Sequence, residues 1–264
     1  MPSLSNGDVS LWYAERGDPA GPPVVLLHGL FFSRRLFERL ARRLPGYRLL
    51  LLDLRGHGRS SRPVEGDAYA WRAMASDVTA LLDELAIERA VVGGLSLGAN
   101  VTLAFAADHA DRLDGALIEM PVLDVGRPQA ERTFRPLAAA FDVVGAATAP
   151  IARAVRPLRR SRVPEVAAAA DLLSLEPVAG AAMLRTLLED RQPVIDGVDA
   201  LASAKVPTLV IAHRLDALHP VADAKYIVDR VPNARLVVVS SIVELRLRGG
   251  RYADVVVRFL RDLG

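Results

Sequence analysis

Short apolar runs rich in Val and Leu alternate along this chain with segments whose apolar residues recur at helical spacing. Residues 9–15, VSLWYAE, alternate apolar and polar and predict a strand. PVVLLHG (23–29) is almost continuously apolar, the pattern of a strand buried on both faces. Leu36, Phe37, Leu40 and Leu44 then follow at helical spacing over 33–43 and just beyond, before YRLLLLD (47–53), the next buried strand. A helix is predicted over 69–86, where Trp71, Met74, Val78, Leu81 and Leu82 share one stripe. AVVGGLS (90–96) reads as a strand, 97–109 as a helix and DGALIEMP (114–121) as a strand. This alternation implies an α/β fold, with a mainly parallel central sheet covered by helices.

From about Val122 to Ala204 the pattern changes. Ala- and Leu-rich helical stretches are broken by Pro128, Pro136, Pro150, Pro157, Pro164, Pro177 and Pro193, and no strand pattern occurs. Alternation resumes with PTLVIAH (207–213), a helix from about Val221, the strand ARLVVVS (234–240) and a last helix near 250–263. The expected organisation is a core made of 1–121 and 206–264, split by a helical insertion over 122–205.

Composition narrows the chemistry. A chain of 264 residues, 51% hydrophobic, is long enough for a sizeable core. The absence of cysteine excludes disulfides, thiolate metal sites and a cysteine nucleophile. A net charge of +2 gives no field suited to nucleic acid. MPSLSNGDVSLWY lacks a basic region followed by an apolar run, and no apolar stretch approaches the roughly 18 residues that span a bilayer. A soluble, cytoplasmic protein with no membrane partner is the expectation.

The strongest chemical signal is Gly94-Leu95-Ser96-Leu97-Gly98, which ends a buried strand and opens a helix. A sharp strand-to-helix turn would lift the Ser96 hydroxyl above the sheet, and the small flanking residues would let the two backbones approach. His28-Gly29-Leu30 ends an earlier strand, and Asp53-Leu54-Arg55-Gly56-His57-Gly58-Arg59-Ser60 follows the next. In this order and spacing the three motifs resemble the α/β-hydrolase family. The resemblance covers essentially the whole chain, and the helical insertion corresponds to the family's cap or lid.

The resemblance implies Ser96 as nucleophile, with the backbone N–H groups of Leu97 and Leu30 as oxyanion donors. It implies structural roles for His28 and His57. The acid is expected after the strand PTLVIAH, where Asp216 lies in HRLDALHP, although His213 stands where the family usually has glycine. Pro220 suits the first turn of a following helix. Glu119, at the end of the preceding strand, is the alternative acid. No cofactor is implied, the histidines are too scattered for a metal site, and no dinucleotide or phosphate-loop fingerprint occurs.

One departure bears directly on activity. The family's histidine follows the last strand, but here no histidine occurs after His219. Ser240 to Ile242, or at most Glu244, fall near the expected place, and a carboxylate at 244 would be repelled by Asp216. A serine hydroxyl needs a base within hydrogen-bond reach. Loss of that base costs on the order of a millionfold in turnover. His213 and His219 flank the acid on the same loop, and His219, farther from the strand, is the stronger candidate for a relocated base. His109 lies near the end of a helix and has no expected role.

The insertion carries Arg153, Arg156, Arg159, Arg160 and Arg162, either a solvated helix face or an attractor for anionic substrates. Phe31, Phe32, Phe37 and Trp71 are candidates for an apolar pocket, with Phe37 and Trp71 placed by helical spacing in the core instead. The reading is therefore a serine hydrolase for a small apolar or acyl substrate, an ester, thioester or lactone. A non-hydrolytic lyase or cyclase and a silent ligand-binding relative are the alternatives. Hydrolysis requires His213 or His219 within about 3 Å, or one water, of Ser96.

Overall fold

The computed structural model describes residues 3–155, 157–158, 170, 176–189, 191–240 and 251–263. Its centre is an eight-stranded sheet of β1 (Ser3–Asn6), β2 (Val9–Gly17), β3 (Pro23–Leu27), β4 (Arg48–Asp53), β5 (Ala90–Leu95), β6 (Leu113–Glu119), β7 (Thr208–His213) and β8 (Ala234–Val239). The order across the sheet is β1-β2-β4-β3-β5-β6-β7-β8. From β4 to β8 every pairing is parallel, whereas β1 and β2 form an antiparallel hairpin at one edge. β1 was not legible as a strand: SLSN offers one apolar residue, Leu4, and its pairing comes from the hairpin through Gly7, whose φ of 57° closes the turn.

Alternation along the strands sorts side chains to two faces. Val25 and Leu27 of β3 and Leu50 and Leu52 of β4 face one cluster, shared with α2 (Trp71–Glu84) and α3 (Leu97–His109). Val24, Leu26, Leu49 and Leu51 face the other, against Phe37, α1 (Glu38–Ala41) and α8 (Arg251–Asp262). The continuous apolar runs of β3 and β4 follow directly from this double coverage. Leu49, Leu50, Leu51 and Leu52 are all fully buried, each contributing about 1.5–3 kcal/mol of transfer free energy.

Among the described residues between β6 and β7 the chain forms three α-helices: α4 (Arg127–Val155), α5 (Pro177–Leu188) and α6 (Gln192–Ser203). Pro136 and Pro150 lie inside α4 and do not end it. Both are exposed, so water can take the carbonyls that each proline leaves without a donor. α6 packs on α3 so closely that a Cβ on Gly197 would lie 1.9 Å from the Leu103 oxygen. α7 (Val221–Val228) follows the loop after β7. The predicted helix over 33–43 is a 3-10 turn, Arg34–Phe37, running into the short α1.

Candidate active site

Every chemically suggestive motif lies where a strand ends. At the end of β5, Ser96 has φ 51° and ψ −104°, a left-handed conformation that a side chain adopts at a cost. Two glycines make that turn fit. A Cβ on Gly94 would fall 2.3 Å from the Leu27 oxygen, and one on Gly98 would fall 2.1 Å from the same atom. The Ser96 N–H donates to the Glu119 carbonyl at 2.8 Å, and the Ser96 carbonyl accepts from Asn100 N at 3.0 Å to start α3.

Ser96 Oγ lies 2.8 Å from His219 Nε2. His219 is buried, at 8% exposure, and its Nδ1 lies 3.1 Å from Asp216 Oδ1. That N–H is directed somewhat off the oxygen rather than along it. The reason is local: Oδ1 already accepts the backbone N–H groups of Leu218 (2.9 Å) and His219 (3.0 Å), so acid and imidazole share one tight turn. Burial pushes the Asp216 carboxyl upward, but the hydrogen bond and charge of His219, with the two backbone donors, outweigh it and hold the group at about 2.

His213 is placed differently. It is 1% exposed at the end of β7, with Nε2 3.4 Å from Oε1 of the fully buried Glu119. Glu119, the alternative acid, therefore faces His213 and not His219. The stretch from 241 to 250, which includes Glu244 and the place where a family histidine is expected, lies outside the described residues.

Leu30 and Leu97 line the same pocket as Ser96. Their backbone N–H groups enter no hydrogen bond among the described residues. The loop carrying Leu30 is held from beneath: Phe31 N donates to His57 Nε2 at 3.1 Å, and Phe32 N donates to the Gly29 carbonyl. His57 can accept at Nε2 because its Nδ1 bonds to the Arg55 carbonyl, 3.0 Å away. Burial, then the neighbouring His28, push the His57 pKa down to about 3 and keep the ring neutral. His28 works in the same way, its Nε2 accepting Leu54 N at 3.1 Å.

The rest of the second motif is scaffolding. Asp53 is fully buried and accepts from Arg34 N, Arg34 Nη1 and Arg59 N. Gly58 lies against it where any Cβ would collide with the carboxylate. Arg55 grips Asp77 through Nε and Nη2 at 2.7 and 2.5 Å.

The pocket over Ser96 has a cavity of about 50 Å³, room for a few water-sized groups. Leu30, Trp71, Leu97, Val122, Phe134 and Leu184 are among its apolar walls, with Asn100 and Arg191 as polar members. Trp71 belongs to the core and lines the pocket at once. Phe37 is buried under the opposite face of the sheet, Phe32 is 44% exposed, and Phe31 meets Phe141 of α4 edge-on at 6.4 Å. Sequence reasoning missed Asn100, Arg191 and Asp223. Asn100 bridges both backbone groups of Val122, and Asp223 accepts the N–H groups of Leu123, Val125 and Gly126. These residues carry no motif of their own; their roles arise from how the insertion folds back on the core.

His109 is half-buried against Phe105, 5.3 Å between ring centres. Arg153 is exposed on α4, and Arg156, Arg159, Arg160 and Arg162 lie outside the described residues. Among the described residues no cluster of three or more His, Asp or Glu side chains is placed to hold a metal ion. Nor is any described helix long and apolar enough to cross a membrane.

Comparison with known proteins agrees with this fold. A family profile described as alpha/beta hydrolase fold matches residues 22–241. The protein named "Putative carbamate hydrolase RutD" from Caulobacter sp. (strain K31) is 30% identical over 247 residues, 88% of each chain. Lipase 1 of Psychrobacter immobilis is 38% identical over 108 residues, 40% of this chain but only 33% of the lipase. Over several such relatives the chain thus spans little more than a third of their length. The crystal structure of the enol-lactonase from Burkholderia xenovorans LB400 superposes with a TM-score of 0.80 over 98% of this chain and 100% of that one, at 24% identity, which speaks for the fold. This chain belongs to the α/β-hydrolase fold family.

Proposed function

We propose that the protein is a serine hydrolase in which His219, on the acid loop itself, replaces the histidine that the family places after the last strand. The observation that carries this reading is the 2.8 Å approach of His219 Nε2 to Ser96 Oγ. It meets the distance that general-base catalysis requires, and the depressed Asp216 carboxyl behind the ring supplies the charge that steadies an imidazolium.

In this mechanism His219 takes the Ser96 proton as Oγ attacks the acyl carbon. The resulting oxyanion is received by the N–H groups of Leu30 and Leu97. His219 then returns the proton to the departing oxygen or sulfur, leaving an acyl-serine. Water attacks that intermediate in the same manner and releases the acid. The net change is one acyl–oxygen or acyl–sulfur bond broken and one water consumed. The small, largely apolar pocket suits short esters, thioesters or lactones. Residues 122–205 act as a cap over a core of 1–121 and 206–264, with α4 and α5 roofing the pocket.

A fluorophosphonate probe tests the base. Labelling of the wild type at neutral pH is expected to vanish in Ser96→Ala and to fall by about 10³-fold or more in rate in His219→Ala. His213→Ala, checked for folding by circular dichroism, should still label. A folded wild type that does not label, or His219→Ala labelling at the wild-type rate, would reject the reading.

A further inference from the structure

A pocket this apolar has no evident use for a buried cation, yet Arg191 lines it beside Ser96. Arg191 precedes α6, is 7% exposed, and donates from Nη2 to the Val122 carbonyl. Its Nε–H is buried and has no hydrogen-bond partner. Burial lowers the Arg191 pKa, and the surrounding carboxylates offset only part of that without occupying the guanidinium. Asp223 is committed to three backbone N–H groups, and Glu131 is bonded to Arg127 with Arg135 close by. Asp124 adds to the negative field and Arg127 opposes it, and neither is hydrogen-bonded to Arg191 among the described residues.

A second donor points to the same kind of ligand. Trp71 is 5% exposed, lines the same pocket, and its indole Nε1–H is likewise buried without a partner. Both groups can only donate. Asn100, the other polar wall residue beside Ser96, has its amide oxygen and nitrogen engaged with Val122. The unmet polar demand among the wall residues is therefore for an acceptor, and next to a guanidinium the favoured acceptor is anionic. Leaving such donors unpaired is costly, a cost that a carboxylate removes once the two side chains turn to meet it. The confined volume favours a planar carboxylate over a bulkier phosphate.

We propose that Arg191, assisted by Trp71, receives a carboxylate carried on the acyl part of the substrate. The preferred substrates are then half-esters, half-thioesters or lactones of short dicarboxylic acids, not neutral short-chain esters. This rests on the serine-hydrolase reading for the chemistry, but the binding itself does not require it.

The experiment is calorimetric titration of Ser96→Ala, which cannot turn substrate over by the proposed route. The probes are monomethyl succinate and monomethyl glutarate, each against its neutral dimethyl ester. Tighter binding of at least one monoester by about 30-fold or more is expected, about 2 kcal/mol of discrimination. The preference should disappear with Arg191→Met and shrink several-fold with Trp71→Phe, which keeps the ring and removes the donor. Equal affinity for the charged and neutral probes, no binding of either, or a preference unaltered in a folded Arg191→Met protein overturns the proposal. If Arg191→Met fails to fold, the charged-against-neutral comparison and Trp71→Phe still decide. Fluorophosphonate labelling without a monoester preference leaves the hydrolase reading standing and rejects this one. A preference without labelling supports the carboxylate site and rejects the hydrolase.

Discussion

Asp216 and His219 are three residues apart in one turn, and that spacing sets how the pair behaves. One carboxylate oxygen serves as turn-former, through the Leu218 and His219 N–H groups, and as partner of the imidazole Nδ1. Losing the charge and losing the turn are therefore separable. Asp216→Asn keeps an acceptor for the backbone donors but removes the anion, so the turn should survive while an imidazolium is no longer stabilised. The expected result is a fall in kcat of about 10²–10⁴-fold with KM little changed, because the lost anion acts on the imidazolium formed in the reaction and not on substrate binding. Asp216→Ala loses both functions and should raise KM as well, because His219 is no longer held over Ser96. Steady-state kinetics on a chromogenic short-chain ester separates the cases; Asp216→Asn with wild-type kcat would show that the acid is only a turn-former.

At the scale of elements, the fold was legible because the central strands are buried on both sides and so spell themselves as apolar runs, β3 and β4 above all. The tight turn at Ser96 was legible for a related reason: Gly94 and Gly98 are demanded by backbone contacts with Leu27, and a demand of that kind leaves a local signature. β1 was not, since its strand character comes from pairing with β2. The prolines of α4 were misleading, because exposed prolines interrupt one hydrogen bond each without ending a helix. Arg191, Asn100 and the pocket face of Trp71 depend on contacts between distant segments, which no local pattern encodes. Two glycine substitutions show the difference between elbow and scaffold. Gly98→Ala forces a Cβ against the Leu27 carbonyl directly beneath Ser96, and should destabilise the protein by about 1–3 kcal/mol and abolish probe labelling. Gly197→Ala forces an equal collision between α6 and α3. It should cost a comparable amount in urea denaturation while labelling of Ser96 persists. Equal effects on labelling would mean that the elbow has no special dependence on its glycines.

For the whole molecule, the same burial that keeps His57 neutral makes stability depend on pH. The His57 pKa is depressed to about 3 in the fold, against about 6.5 in an unfolded chain. Between those values the unfolded state binds the extra proton, so stability rises with pH across this window and is lost as pH falls from 6.5 toward 3. Asp216 adds to the loss at the lower end. Its pKa is depressed to about 2, so its contribution is complete above about 4 and disappears between there and 2. Asp77 acts in the opposite sense: burial raises its pKa despite Arg55, so protonation in the fold offsets part of the decline. The His57 share can be isolated with His57→Gln, which keeps an acceptor for the Phe31 N–H but has nothing to protonate. Urea midpoints measured at pH 7 and pH 4.5 should fall steeply for the wild type and much less for His57→Gln, the difference approaching one proton taken up on unfolding. At pH 7 the variant should be the less stable protein, because a flexible amide fits the ring's buried site poorly; at pH 4.5 the gap should narrow or reverse. Parallel curves for the two proteins would mean that His57 is not the group whose protonation limits stability in acid, and the burial of the loop that carries Leu30 would then have to be explained without a proton-excluding histidine beneath it.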